Sequence, residues 1–191
     1  MLDGLDAVDE PMSTYMLEFK ISPTFRAELA TQLGECHTLV GTRRQSMANE
    51  MAAVRQLQVQ REELDVLTST LRQLARTVIH DPAARRALAL DIRIPRKTRL
   101  YIDLTREFVN ACRQEPYATL LATVQIDADQ LDDIEARVGV LEMLYEARKR
   151  AGSAAVQATT ARDEGFHILQ QMVRLLTLRM NALLRTHPEL P

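Results

Sequence analysis

At 191 residues the chain is long enough for one ordinary domain or two small ones, and an apolar fraction of 46% supplies a core and excludes wholesale disorder. Aromatics are only 4%, Trp is absent, and residues that lose little on entering a helix (Ala, Leu, Arg, Gln, Glu, Met) dominate, so the expected class is all-α rather than all-β or α/β. The formal net charge of −2 excludes a strongly basic, nucleic-acid-like balance over the whole chain.

Residues 1–21 read as an acidic N-terminal lead followed by an extended arm. Asp3, Asp6, Asp9 and Glu10 carry the acid, with no base among the first ten residues. This acidic start, without an apolar segment, is not expected to be a signal peptide. In "YMLEFKIS", Tyr15, Leu17, Phe19 and Ile21 alternate with Met16, Glu18 and Lys20, which predicts a short extended segment. Such a segment either packs an apolar edge on a helix of its own chain or docks on a neighbouring subunit. Tyr15, Leu17, Phe19 and Ile21, with Asp6, Asp9 and Glu10, are therefore candidate oligomer contacts.

A first helical unit is expected over 22–82. Ser22-Pro23 is a start signal, a capping hydroxyl before a Pro at the first helical position, and no further proline appears until Pro82. Leu29, Leu33, Cys36, Val40, Arg43, Met47, Val54, Leu57, Leu64, Leu67, Leu71, Leu74 and Val78 trace a seam of alternating three- and four-residue steps, with polar interruptions. His80-Asp81-Pro82 reads as the helix C-terminus, where an imidazolium would face the negative end of the dipole.

The segment 83–125 differs in kind and is expected to form a basic helical cap. "AARRALALDI" is a short amphipathic piece. "TRLYIDLTREFVNAC" predicts a helix with Leu100, Leu104 and Phe108 on one face, and Pro116 opens another short helix through Leu120 and Leu121. Arg85, Arg86, Arg93, Arg96, Lys97 and Arg99 stand against Asp91 alone over 85–99. They are the candidate anion-binding residues, suited to phosphates of a nucleic acid or an anionic surface, although Tyr101 is the lone aromatic nearby for stacking on bases.

A second helical unit is expected over 126–191. Asp127 is its cap, Gln130 completes a capping-box spacing, and Ile126 and Leu131 are placed as a hydrophobic staple. Its seam keeps one register from Leu131 through Ile134, Val138 and Leu141 to Leu176, Met180 and Leu183, with a weak centre at Arg148, Gly152, Thr159 and Arg162. Two architectures follow. If both stretches are continuous, the protein is a pair of long antiparallel coiled-coil-like helices joined by a short helical cap, on the order of 80 Å long at 1.5 Å per residue. If each breaks near Gly41 or Gly152, it is a four-helix bundle built from a duplicated helical hairpin. The unbroken register favours the first, because a turn would reset the phase.

The two long stretches also resemble each other. Leu29, Leu33 and Gly34 overlay Ile134, Val138 and Gly139, Arg43 overlays Arg148, and "RTVIHDP" at 76–82 overlays "RTHPELP" at 185–191, which indicates an internal duplication. "ATTARDEGFHILQQM" followed by "THPEL" resembles a pattern in uncharacterised bacterial helical proteins built from a duplicated helical unit. The resemblance spans most of 127–190 and more faintly 24–82. It implies duplication and no catalytic residue or ligand.

No chemistry-bearing constellation stands out. His37, His80, His167 and His187 are dispersed, Glu35-Cys36-His37 places adjacent helical residues in different directions, and Glu164-x-x-His167 occurs once without a second copy. No phosphate loop or nucleophile motif is present, so neither an enzyme nor a cofactor nor a metal site is expected. Cys36 and Cys112 lack CxxC spacing, which fits a reducing compartment, and no apolar run approaches the ~20 residues of a membrane span, so cytoplasmic residence is expected. The expected function is a structural or scaffolding subunit that self-associates into a homo-oligomer or binds an assembly partner, the lead of one subunit reaching the cap of the next. Binding of nucleic acid or an anionic surface through 85–99 is the alternative.

Overall fold

A computed structural model describes residues 10–188. Among them the regular structure is six α-helices: α1 (Glu10–Glu18), α2 (Pro23–Val78), α3 (Pro82–Ala87), α4 (Thr98–Cys112), α5 (Tyr117–Ala122) and α6 (Ala128–Thr186). The fold is all-α, and α2 packs antiparallel against α6. Both long helices start where a short polar side chain accepts an orphan amide. Ser22 Oγ accepts from the Phe25 N–H at 3.1 Å, and Asp127 Oδ1 accepts from the Gln130 N–H at 2.9 Å. Gly41 and Gly152 lie inside continuous helix, which removes the four-helix-bundle alternative.

The chain divides into two compact units, residues 48–152 and residues 1–47 with 153–191. Each takes part of α2 and part of α6, because antiparallel pairing brings the start of one helix to the end of the other. The units therefore cut across the segments 22–82 and 126–191. In the 48–152 unit, α4 and α5 add layers to the helix pair. Leu57, Leu64 and Leu71 of α2, Ile134, Val138 and Leu141 of α6, and Tyr101 and Phe108 of α4 share one core. Burying a side chain of this size contributes roughly 1.5–3 kcal/mol. The other unit is thinner. Leu29, Cys36, Ala155 and Leu183 are buried between the long helices, and α1 with its following turn adds Met16 and Ile21. At the buried Gly165 an added Cβ would stand 2.6 Å from Leu39 Cδ1, so that side chain would have to shift.

Three expectations need correction. The "YMLEFKIS" segment is helical through Glu18 rather than extended, since Met16 packs inward with helical spacing and the chain turns only at Phe19-Lys20. Asp81 does not close α2, which ends at Val78. Its carboxylate accepts from the Ala84 N–H at 2.7 Å and caps α3, so "RTVIHDP" holds the last residues of one helix and the start of the next. The buried face of α4 is Tyr101, Leu104, Thr105, Phe108 and Cys112, while Leu100 is 52% exposed.

Three turns share one solution. Lys20, Ala89 and Gln125 adopt left-handed φ of 59°, 51° and 63°. The next amide in each case reaches back five residues, Ile21 to Met16, Leu90 to Arg85 and Ile126 to Leu121, at 2.8–3.1 Å. This is the Schellman pattern, and the buried Ile21, Leu90 and Ile126 supply its hydrophobic contact. The left-handed position favours glycine, yet none of the three is one. Gln125→Gly, at an exposed position, is expected to raise stability by about 0.5–1 kcal/mol in a urea titration, and Gln125→Val to lower it.

Candidate functional site

The six cations of 85–99 do not converge. Arg85 Nε donates to the Ile79 carbonyl at 2.9 Å, serving a carbonyl just past the end of α2, and Arg86 Nε donates to Pro82 O at 3.3 Å. Arg99 Nη1 lies 2.6 Å from Glu142 Oε1 and its Nε 3.4 Å from Asp103, while Arg106 takes the other Glu142 oxygen at 2.6 Å. The hydrogen bond from Arg106, then that from Arg99, holds the Glu142 carboxyl below its ordinary range. Arg93, Arg96 and Lys97 are exposed and have no ion pair among the described residues. Three of the six thus remain as a solvated edge.

A different set of arginines organises this region. Arg72, only 3% exposed, donates from Nη2 to the carbonyls of Ala89 at 2.6 Å, Leu90 at 3.2 Å and Ile92 at 2.7 Å. Its guanidinium also lies 6.0 Å from the Phe108 ring centroid. Arg76, one turn on, donates to the same Leu90 carbonyl. Arg61 donates to the carbonyls of Pro95 at 2.6 Å and Arg96, and to Thr98 Oγ1 at 3.2 Å, with its guanidinium 5.2 Å from the Tyr101 centroid. A face of α2 thereby straps down the irregular segment 89–98. Buried backbone carbonyls need donors, and the fork of one guanidinium serves three of them. Burial, then the neighbouring charge of Arg76, lowers the pKa of Arg72. Tyr101 donates to Thr68 Oγ1 at 3.5 Å, and burial raises its pKa. The sequence marks this face only by Arg72 and Arg76 four residues apart beside Leu71 and Ala75. That spacing is equally common on solvated faces.

The candidate oligomer contacts of α1 and its turn meet their own unit. Ile21 is buried, the Tyr15 ring lies 4.1 Å from the His187 ring, and Phe19 meets His187 edge-on at 6.3 Å. Glu18 approaches His187 Nε2 at 4.0 Å, and Arg179 donates to Lys20 O at 2.7 Å. Leu17 alone of the four apolar candidates faces outward, 54% exposed. Asp6 and Asp9 lie outside the described residues, and Glu10 opens α1.

Among the described residues no three His, Cys, Asp or Glu side chains are grouped to hold a metal ion, and no helix is long and apolar enough to cross a membrane. Cys36 and Cys112 are free and buried, and burial pushes the Cys112 thiol up to about 12. No family model matches the chain, and no curated protein or solved structure is significantly similar to it.

Two outcomes test this geometry. Arg72→Met leaves buried carbonyls without donors and is expected to cost roughly 3 kcal/mol in a denaturant titration, with faster amide exchange over 89–98. Arg93→Gln should stay within about 0.5 kcal/mol. Cys112 keeps its proton in the folded state up to about 12, whereas the unfolded thiol gives it up from about 9. Between these values the folded state holds the extra proton, so rising pH favours unfolding. Stability measured against pH should fall across that window, and Cys112→Ser should show a shallower fall.

Proposed function

We propose that this chain is a structural or scaffolding subunit that self-associates through apolar stripes left uncovered on its long helices. One observation carries the reading. On α6, Ile168, Leu175 and Leu178 are 47%, 40% and 59% exposed and follow each other at steps of seven and three. Such steps return to one side of a helix, and this side is distinct from the one on which Leu169, Leu176 and Leu183 form the seam. On α2, Val59 and Val66, seven apart, are 51% and 67% exposed. Single exposed apolar residues are ordinary, but aligned ones make a surface that another helix can cover. A second copy of the chain offers matching stripes, and closed symmetry lets each copy cover the other. The two long helices, of 56 and 59 residues and each capped by a short polar side chain, support an origin by duplication of one helical unit.

Light scattering tests the proposal. The intact chain is expected to show a mass that is a multiple of one chain at tens of micromolar. Leu175→Glu with Leu178→Glu is expected to bring it to that of a single chain with unchanged helix content, because these exposed side chains contribute little to the monomer fold. A single-chain mass for the unaltered protein overturns the reading.

A further inference from the structure

In the unit formed by residues 1–47 and 153–191, the centre of the seam holds arginines where a helical seam ordinarily holds apolar side chains. Arg43 of α2 and Arg162 of α6 are both seam positions, and they line the same groove with Arg44, a cavity of about 610 Å³. That size lies within the range of small-molecule sites. Among the described residues Asp163 is the one carboxylate lining the groove and is already bonded to Arg162, whose Nε donates to it at 2.9 Å. Three permanent positive charges thus line a groove that holds one negative charge, an excess that an anion in the groove would offset. Arg43 Nε is buried without a hydrogen-bond partner, so part of this charge has left water with nothing in return. Beside the guanidiniums stands Phe166, 38% exposed although it belongs to the seam, with His167 at the edge.

We infer that this groove is a binding site for a phosphate-bearing small molecule, with Arg43, Arg44 and Arg162 taking the phosphate oxygens and Phe166 taking its organic part. Phosphate is favoured over a single carboxylate because its oxygens can engage several guanidinium forks at once. An aromatic face suits a planar base. The inference does not rest on self-association, since every residue of the groove belongs to one chain.

Titration calorimetry at low salt with inorganic pyrophosphate, ATP and citrate tests it. Pyrophosphate and ATP are expected to bind saturably at one site per chain, ATP more tightly and citrate at least tenfold more weakly than pyrophosphate. Arg43→Gln and Arg162→Gln should each weaken both phosphate ligands at least tenfold, and Phe166→Ala should bring ATP to the affinity of pyrophosphate. Each Arg variant removes one of the like charges lining the groove, so an unchanged or raised thermal midpoint confirms that lost binding reads the site and not the fold. No saturable binding of either phosphate compound at millimolar concentration overturns the inference. So does binding that survives both Arg variants, citrate as tight as pyrophosphate, or an ATP preference indifferent to Phe166. If the groove instead receives carboxylates of a second copy, Arg43→Gln lowers the light-scattering mass and the phosphates do not bind, which also overturns it.

Discussion

Two helices lying side by side can shield only the strip along which they touch, and the rest of each helix needs other cover. The two units of this chain meet that constraint differently. In residues 48–152, α4 and α5 supply further walls, and the seam residues Ile134, Val138 and Leu141 reach 2% exposure or less. In residues 1–47 with 153–191, α1 is the one added helix among the described residues. Phe166 and Val173, seam residues by spacing, are there 38% and 46% exposed. The same heptad pattern therefore encloses a core in one unit and leaves a half-open edge in the other.

Arginine performs three distinct tasks in this fold. On one face of α2 it replaces water for the carbonyls of 89–98, so that an irregular segment can lie against a helix without a ladder of its own. Across α4 and α6 it forms exposed ion pairs with Glu142, Asp132 and Glu135, of the kind that fix orientation and add little stability. On the other unit's seam Arg43, Arg44 and Arg162 line a groove in which Asp163 answers Arg162 alone. Only the third arrangement leaves charge unanswered, and there the chemistry of the chain points outward to a ligand. The density of arginine near 85–99 is a poor guide to this, because Arg85, Arg86 and Arg99 serve the local backbone and Glu142.

The relation between residue pattern and outcome was closest where a single physical preference acted alone. Ser22 and Asp127 begin helices because each offers an oxygen to an otherwise unsatisfied amide, and neither needs a distant partner. The long register survived Gly41 and Gly152, since a lone glycine costs a helix only about 1 kcal/mol, far less than the packing it would forfeit by breaking. The alternation of Tyr15 to Ile21 misled because so short a run fits a strand edge and a helix turn equally well. The burial of Met16 and Ile21, with the Tyr15 ring against His187, settled it. Leu100 looked like a core residue by spacing from Leu104, but Tyr101 faced inward in its place once α4 had docked on α2.

Helix class, the starts of α2 and α6, the two long seams and the short helices between them were determined by the sequence itself, because propensity, capping and periodicity act over a few neighbouring residues. Tertiary structure decided which stretches of each seam are enclosed, how Arg61, Arg72 and Arg76 hold the segment 89–98, and that Arg43 and Arg162 line one groove. Those outcomes depend on residues more than a hundred positions apart, or on loop carbonyls whose direction no side-chain pattern encodes. Pairing two helices in opposite directions selects which distant positions become neighbours, and that selection exists only in the folded chain.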